Sequence, residues 1–134
     1  MAFGCKLLRI YPISISFIII IWVICLIPIP ETPLSHVSLI DKWTHVALYA
    51  LLCVSLWSEY GWRSPERKFR YVLFWFFLIP LLMGGAIEIV QATCTGGRRS
   101  GDWIDFAADG VGVLLGQIIG IPLARVLSKR NKAR

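Results

Sequence analysis

The stretch "RRSGDWIDFAADGVGVLLG", residues 98–116, places acids at the mouth of an apolar segment. From Trp103 the apolar character runs on to Leu127, yet Asp102, Asp105 and Asp109 stand at or inside its start. An unpaired carboxylate in hydrocarbon costs about 2.5–3.5 kcal/mol on insertion scales. Spacing shows how the chain tolerates them: the acids are three and four residues apart, which puts them on one helix face. Gly112, Gly116 and Gly120 continue that stripe. Small residues at a four-residue period let another helix approach closely. The acidic face is therefore also a packing face, and the acids turn inward.

Composition sets the frame around this segment. The chain has 134 residues, of which 57% are hydrophobic and only 16% charged. A soluble domain of this length needs more polar surface to cover its core. A spanning helix needs about 20 mostly apolar residues. The stretches 10–29, 43–60, 71–91 and 103–127 meet or approach that length, and only short connections are left over. The expectation is an all-α integral membrane four-helix bundle, a single domain over residues 1–134 with short loops. No small-x-small cleavage site follows the first run; "IPIPETPL" comes next. That run is therefore expected to be an uncleaved helix rather than a leader. Cys5, Cys25, Cys53 and Cys94 form no CxxC pair, so neither a disulfide framework nor a zinc spacing is read.

The basic residues sort by segment. Lys6 and Arg9 precede the first run, Arg63, Arg67, Lys68 and Arg70 fall between the second and third, and Arg125, Lys129, Arg130, Lys132 and Arg134 close the chain. The other connections hold only Lys42, Arg98 and Arg99. The positive-inside rule then puts both termini and the 63–70 loop in the cytoplasm, as in a multi-pass protein of the bacterial cytoplasmic membrane. The basic tail reads as a topology signal resting on anionic membrane lipid, with no nucleic-acid role.

On this topology Glu59 and Glu66 fall in the inner loop. Glu31, Asp41, Glu88, Asp102, Asp105 and Asp109 fall at the outer ends, with Lys42, His45, Gln91, Arg98 and Arg99. Glu88 and Gln91 share a face, with Gly84 and Gly85 one turn earlier for close contact; Asp41 and His45 stack four apart. Helices two, three and four should thus line an outward-facing polar pocket, with the first helix as a wall. The inner half carries no matching polar track, which argues against a through-path. Trp22, Trp43, Trp57, Trp62, Trp75 and Trp103 read as interface anchors, mostly near helix ends. "FWFFLIPLL", residues 74–82, reads as lipid-facing helix kinked at Pro80.

Three blocks of this pattern, "DKWTHVALYALL", "GGAIEIVQ" and "GGRRSGDWIDFAADGVGVLLG", together resemble the VanZ-like family of small bacterial membrane proteins. That family opens one helix with Asp-Lys-x-x-His, closes the next with Glu-x-x-Gln, and begins the last with Arg-x-x-Asp-x-x-Asp followed by Asn-x-x-Gly. Asp41, Lys42 and His45 match the first block, Glu88 and Gln91 the second, and Arg98 or Arg99 with Asp102, Asp105 and Gly112 the third. Asp109 stands where the family has Asn and adds an ionisable group. The founding member is linked to low-level teicoplanin resistance, so the resemblance implies a role at the outer face of the cell envelope.

Three readings fit the cluster. As a binding or accessory protein, Arg98 and Arg99 would grip phosphate or carboxylate of a lipid-linked wall precursor or a glycopeptide, and Lys42 would add a point charge. As an enzyme on a lipid phosphate or lipid-linked sugar, His45, Glu88, Asp105 and Asp109 would do acid–base work or hold a hard metal. As a purely architectural cluster, the ion pairs would lock the helices together. No motif assigns a catalytic residue or names a metal, and no cofactor is called for.

Overall fold

The computed structural model describes residues 8–27, 39–63, 68–97 and 101–134, and the described chain is helical with no strand. Residues 8–10 are helical, and the longer helices are α1, Pro12–Leu26; α2, Ile40–Arg63; α3, Phe69–Cys94; and α4, Trp103–Lys132. Among the described residues two helices, α3 and α4, are long and apolar enough to cross a membrane.

The other two differ from the expectation for physical reasons. α1 has 15 residues, roughly 22 Å at the helical rise, instead of the full 10–29 span. Pro12 sits at its first turn, where a missing N–H does no harm, and Ile27 is extended because Pro28 follows it. α2 has 24 residues, longer than 43–60, but carries Asp41, Lys42, Glu59 and Arg63 within its bounds. α3 ends where Gly96 and Gly97 take positive φ of 59° and 82°, a conformation that terminates helices at little steric cost.

α2 and α4 form the main pair and run in the same direction. The glycine stripe makes this possible. A Cβ on Gly112 would lie 2.5 Å from the Val46 carbonyl oxygen, and one on Gly120 would meet the Trp57 side chain at 2.7 Å. Gly116 rides on Ala50 and Cys53, and Gly61 returns the contact against the Ala124 backbone. The core between the helices joins Ile21, Cys25, Tyr49, Leu52, Cys53, Ile87 and Val113. A second cluster, Trp57, Tyr60, Val72 and Ala124, fills the end near Arg63. Trp57 is fully buried there, edge-on to Phe76 at 5.1 Å, and is not the interface anchor its position suggested. Trp43, Trp62 and Trp103 are exposed.

Glu59 also departs from expectation. It is not in a loop but buried in α2, 4% exposed, where it caps α1. The Ile13 and Ser14 backbone N–H groups donate to its two carboxylate oxygens at 2.9 and 3.0 Å, and the Ser14 hydroxyl donates at 2.7 Å. Pro12 has no N–H, and Ile15 already donates to the Tyr11 carbonyl, so Glu59 satisfies the donors that remain in that first turn. At the far end of α1 the Gln91 amide donates to the Cys25 carbonyl at 2.8 Å. The half of the molecule near Glu59 therefore does hold buried polar groups, but they join helices rather than line a path.

Gln117 is another. Pro80 cannot donate to the Phe76 carbonyl four residues earlier, which leaves that oxygen without its helical partner. The Gln117 amide donates to it at 2.9 Å, and the Gln117 carbonyl oxygen accepts from the Trp57 indole N–H. Gln117→Leu should cost about 2–4 kcal/mol, since about 1–3 kcal/mol attaches to each buried polar group left alone. In a Pro80→Ala background, residue 80 donates to Phe76 again and the penalty of Gln117→Leu should fall by about half. Unfolding midpoints in denaturing detergent check this; equal penalties in both backgrounds would refute the pairing.

Candidate functional site

The shared direction of α2 and α4 brings their N-termini to one end of the molecule. Helix N-termini carry partial positive charge and unpaired N–H groups, so acids are favoured there. Asp41 lies in the first turn of α2 and Asp105 in the first turn of α4. Asp102 caps α4: its Oδ1 accepts from the Ile104 N–H at 2.9 Å, and its carbonyl accepts from Asp105 and Phe106. The same residue ties three helices together. Its Oδ2 pairs with the Lys42 ammonium of α2 at 2.9 Å, and its backbone N–H donates to Glu88 Oε2 of α3 at 2.8 Å. The Ile104 N–H first, and then Lys42, hold the Asp102 carboxyl, which stands just ahead of α4, below its ordinary value.

Deeper along α4 the other acids find α2. Lys42 also pairs with Asp105 at 2.5 Å, so one ammonium serves two carboxylates. One turn further, His45 Nδ1 and Asp109 Oδ1 are 2.7 Å apart, with His45 4% exposed and Asp109 fully buried. The ligand-type atoms of His45, Glu88 and Asp109 lie within 4.8 Å of one another, as do those of Asp41, His45 and Asp105. Gly84 makes room here, since a Cβ on it would lie 2.5 Å from Asp109 Oδ2. Several buried atoms have no hydrogen-bond partner among the described residues: Tyr49 Oη, Glu88 Oε1, Gln91 Oε1 and Asp109 Oδ2.

Beside this cluster a cleft of about 210 Å³ opens between α3 and α4. Its walls are Gly85, Ile89, Ala92, Gly101, Trp103 and Phe106, and Glu88 is the charged residue among its lining. The arrangement offers an apolar slot for a hydrophobic chain, with Glu88 at its edge.

The structure brings Asp41, Lys42, His45, Glu88, Asp102, Asp105 and Asp109 to one end of the molecule. Gln91 lies one turn from Glu88, but its amide nitrogen is committed to α1. Arg98 and Arg99 lie outside the described residues. Tyr49 was missed, although it stands one helical turn beyond His45 on the same face, at the spacing that picked out Asp41. No family model, curated protein or solved structure matches this chain.

Proposed function

We propose that this chain is a VanZ-like protein of the bacterial envelope, a multi-pass four-helix bundle with both termini inside. Its outward polar end binds the head of a lipid-linked wall precursor or of a lipid-bearing glycopeptide. A membrane setting is supported by the apolar side chains turned outward on α1, α3 and α4, among them Ile19, Phe74, Leu82, Leu114 and Ile118. A soluble protein of this size does not expose such a continuous surface. The orientation is supported by the basic residues Arg63, Arg70, Arg125, Lys129, Arg130 and Lys132, which belong to the helix ends away from the acids.

The observation that carries the binding reading is the α3–α4 cleft. It is open, apolar and bordered by Glu88, and Glu88 is tied through Asp102 to the Lys42–Asp105 pair. An acyl or isoprenyl chain would lie against Ile89, Trp103 and Phe106, while its head reaches the charged groups. A ligand with both parts gains affinity from both, so a lipid-bearing glycopeptide should be distinguished from one without a chain.

Expression of the wild type and of Asp105→Asn at equal membrane levels in a susceptible Gram-positive host tests this. Protection against teicoplanin but not vancomycin, lost in the variant, is the expected result. If neither antibiotic is affected by the wild type, the glycopeptide reading is refuted. If the variant protects as well as the wild type, the cluster only joins helices. A second reading, a membrane enzyme acting on a lipid phosphate or lipid-linked sugar, draws on the buried His45–Asp109 pair, since a carboxylate so placed orients an imidazole for proton transfer.

A further inference from the structure

We propose that His45, Glu88 and Asp109 hold a divalent metal ion of the Zn²⁺ or Mn²⁺ type where α2, α3 and α4 meet. The site is built from one imidazole nitrogen and two carboxylate oxygens, all within 4.8 Å of one another. Metal–ligand bonds of about 2.0–2.2 Å place neighbouring ligand atoms roughly 3–4.4 Å apart, so these side chains reach a common ion with little movement.

The unpaired atoms point the same way. Glu88 has one oxygen, Oε2, fixed by the Asp102 N–H, while Asp109 Oδ1 shares a proton with His45 Nδ1 that a metal ion would displace. The second oxygen of each, Glu88 Oε1 and Asp109 Oδ2, is buried and accepts from nothing among the described residues. Glu88 is 9% exposed and Asp109 not at all. A buried carboxylate oxygen without a donor is costly, and a cation is the partner that removes the cost for both at once. For Glu88, holding one carboxylate oxygen while freeing the other is how supporting hydrogen bonds orient metal ligands.

Charge balance agrees. Asp102, Asp105, Glu88 and Asp109 converge, yet the lysine that pairs with them is Lys42, engaged with Asp102 and Asp105. Among the described residues no lysine or arginine pairs with Glu88 or Asp109. The alternative trio Asp41, His45 and Asp105 competes for the same imidazole, but Asp105 already has its cation. The mixed nitrogen and oxygen donors suit a first-row divalent ion rather than a soft thiol-seeking one. Gly84 keeps the space over Asp109 Oδ2 clear of a side chain. The proposal does not depend on which head-group the protein binds.

The test uses the full chain, purified in detergent with a tag free of histidine and without chelators. Metal content is read by mass spectrometry, and ZnCl₂ and MnCl₂ are titrated by calorimetry. The expected result is a single tightly held ion per chain. Glu88→Gln and Asp109→Asn should each weaken it by at least about 10–100-fold, the loss seen even for supporting residues of metal sites. Cys94→Ser, which removes the exposed thiol, should leave uptake unchanged. X-ray absorption on the metal-loaded wild type, which needs no variant to fold, should show imidazole and oxygen ligands and no sulfur. A wild type that takes up no ion, sulfur in its ligand shell, or folded variants that bind as tightly as wild type would each overturn the proposal.

Discussion

Glu59→Ala is expected to release α1 from the other helices and to lower stability by about 2–5 kcal/mol, since about 1–3 kcal/mol attaches to each buried donor left without a partner. The Ile13 and Ser14 N–H groups lose the carboxylate that now accepts from them, and neither has an alternative in the helix. The Ser14 hydroxyl keeps Ser55, 3.1 Å away, so the damage falls on the backbone. The negative charge at the N-terminus of α1 is lost as well. Glu59→Gln should recover part of the loss, because its amide oxygen still accepts. Unfolding by denaturing detergent gives the magnitude. Hydrogen exchange gives the location: protection should collapse over the first turns of α1 while the α2–α4 pair stays closed. An alanine variant with an unchanged midpoint and a protected α1 would show that the cap carries no weight.

Gly116→Val should act on the other principal contact and cost about 3 kcal/mol, the upper part of the usual range for overpacking. A Cβ there would sit 2.8 Å from the Ala50 carbonyl oxygen and closer still to the Cys53 Cβ. Backbone cannot rotate away as a side chain can, so α2 must move. That movement would also strip the contacts at Gly112 and Gly120. The same displacement should disturb the pair of His45 on α2 and Asp109, the latter seven residues, roughly 10 Å, along α4 from Gly116. Loss of stability and loss of the site are therefore expected together. Ile118→Val, on the outward face at 69% exposure, should change neither. A detergent-unfolding midpoint for Gly116→Val within error of Ile118→Val would contradict the close packing.

Part of the polar end is legible in the sequence. Asp102, Asp105 and Asp109 announced a face by spacing alone, and Asp41, Lys42, His45 and Glu88 were drawn to the same level by the placement of apolar runs. The glycine stripe was equally legible because small residues at a four-residue period have one main use in an apolar helix. Its partner, α2, was not readable, since the stripe says only that some helix comes close. Glu59 was misplaced for a related reason. At the end of an apolar run next to basic residues, a glutamate reads as a loop acid, and its true partners lie 45 and 46 residues away. Gln117 left a signal that went unused: a lone amide inside an apolar span, with a proline in the neighbouring helix that must orphan a carbonyl. Trp57 differs from the other tryptophans only in what surrounds it, which no local pattern records.

The sequence by itself determined the helical class, the approximate helix positions, the acidic face and the glycine stripe. Those features follow from local rules: hydrophobic run length, the helical repeat, and the intolerance of proline and unpaired charge. Only the tertiary structure decided that α2 and α4 run side by side in one direction, that α1 is clamped by Glu59 and Gln91, and that Glu88 and Asp109 face His45 with an oxygen each to spare. Those facts depend on which distant donors and acceptors meet once the helices pack. A buried polar group must find a partner, but the chain's order does not say which one.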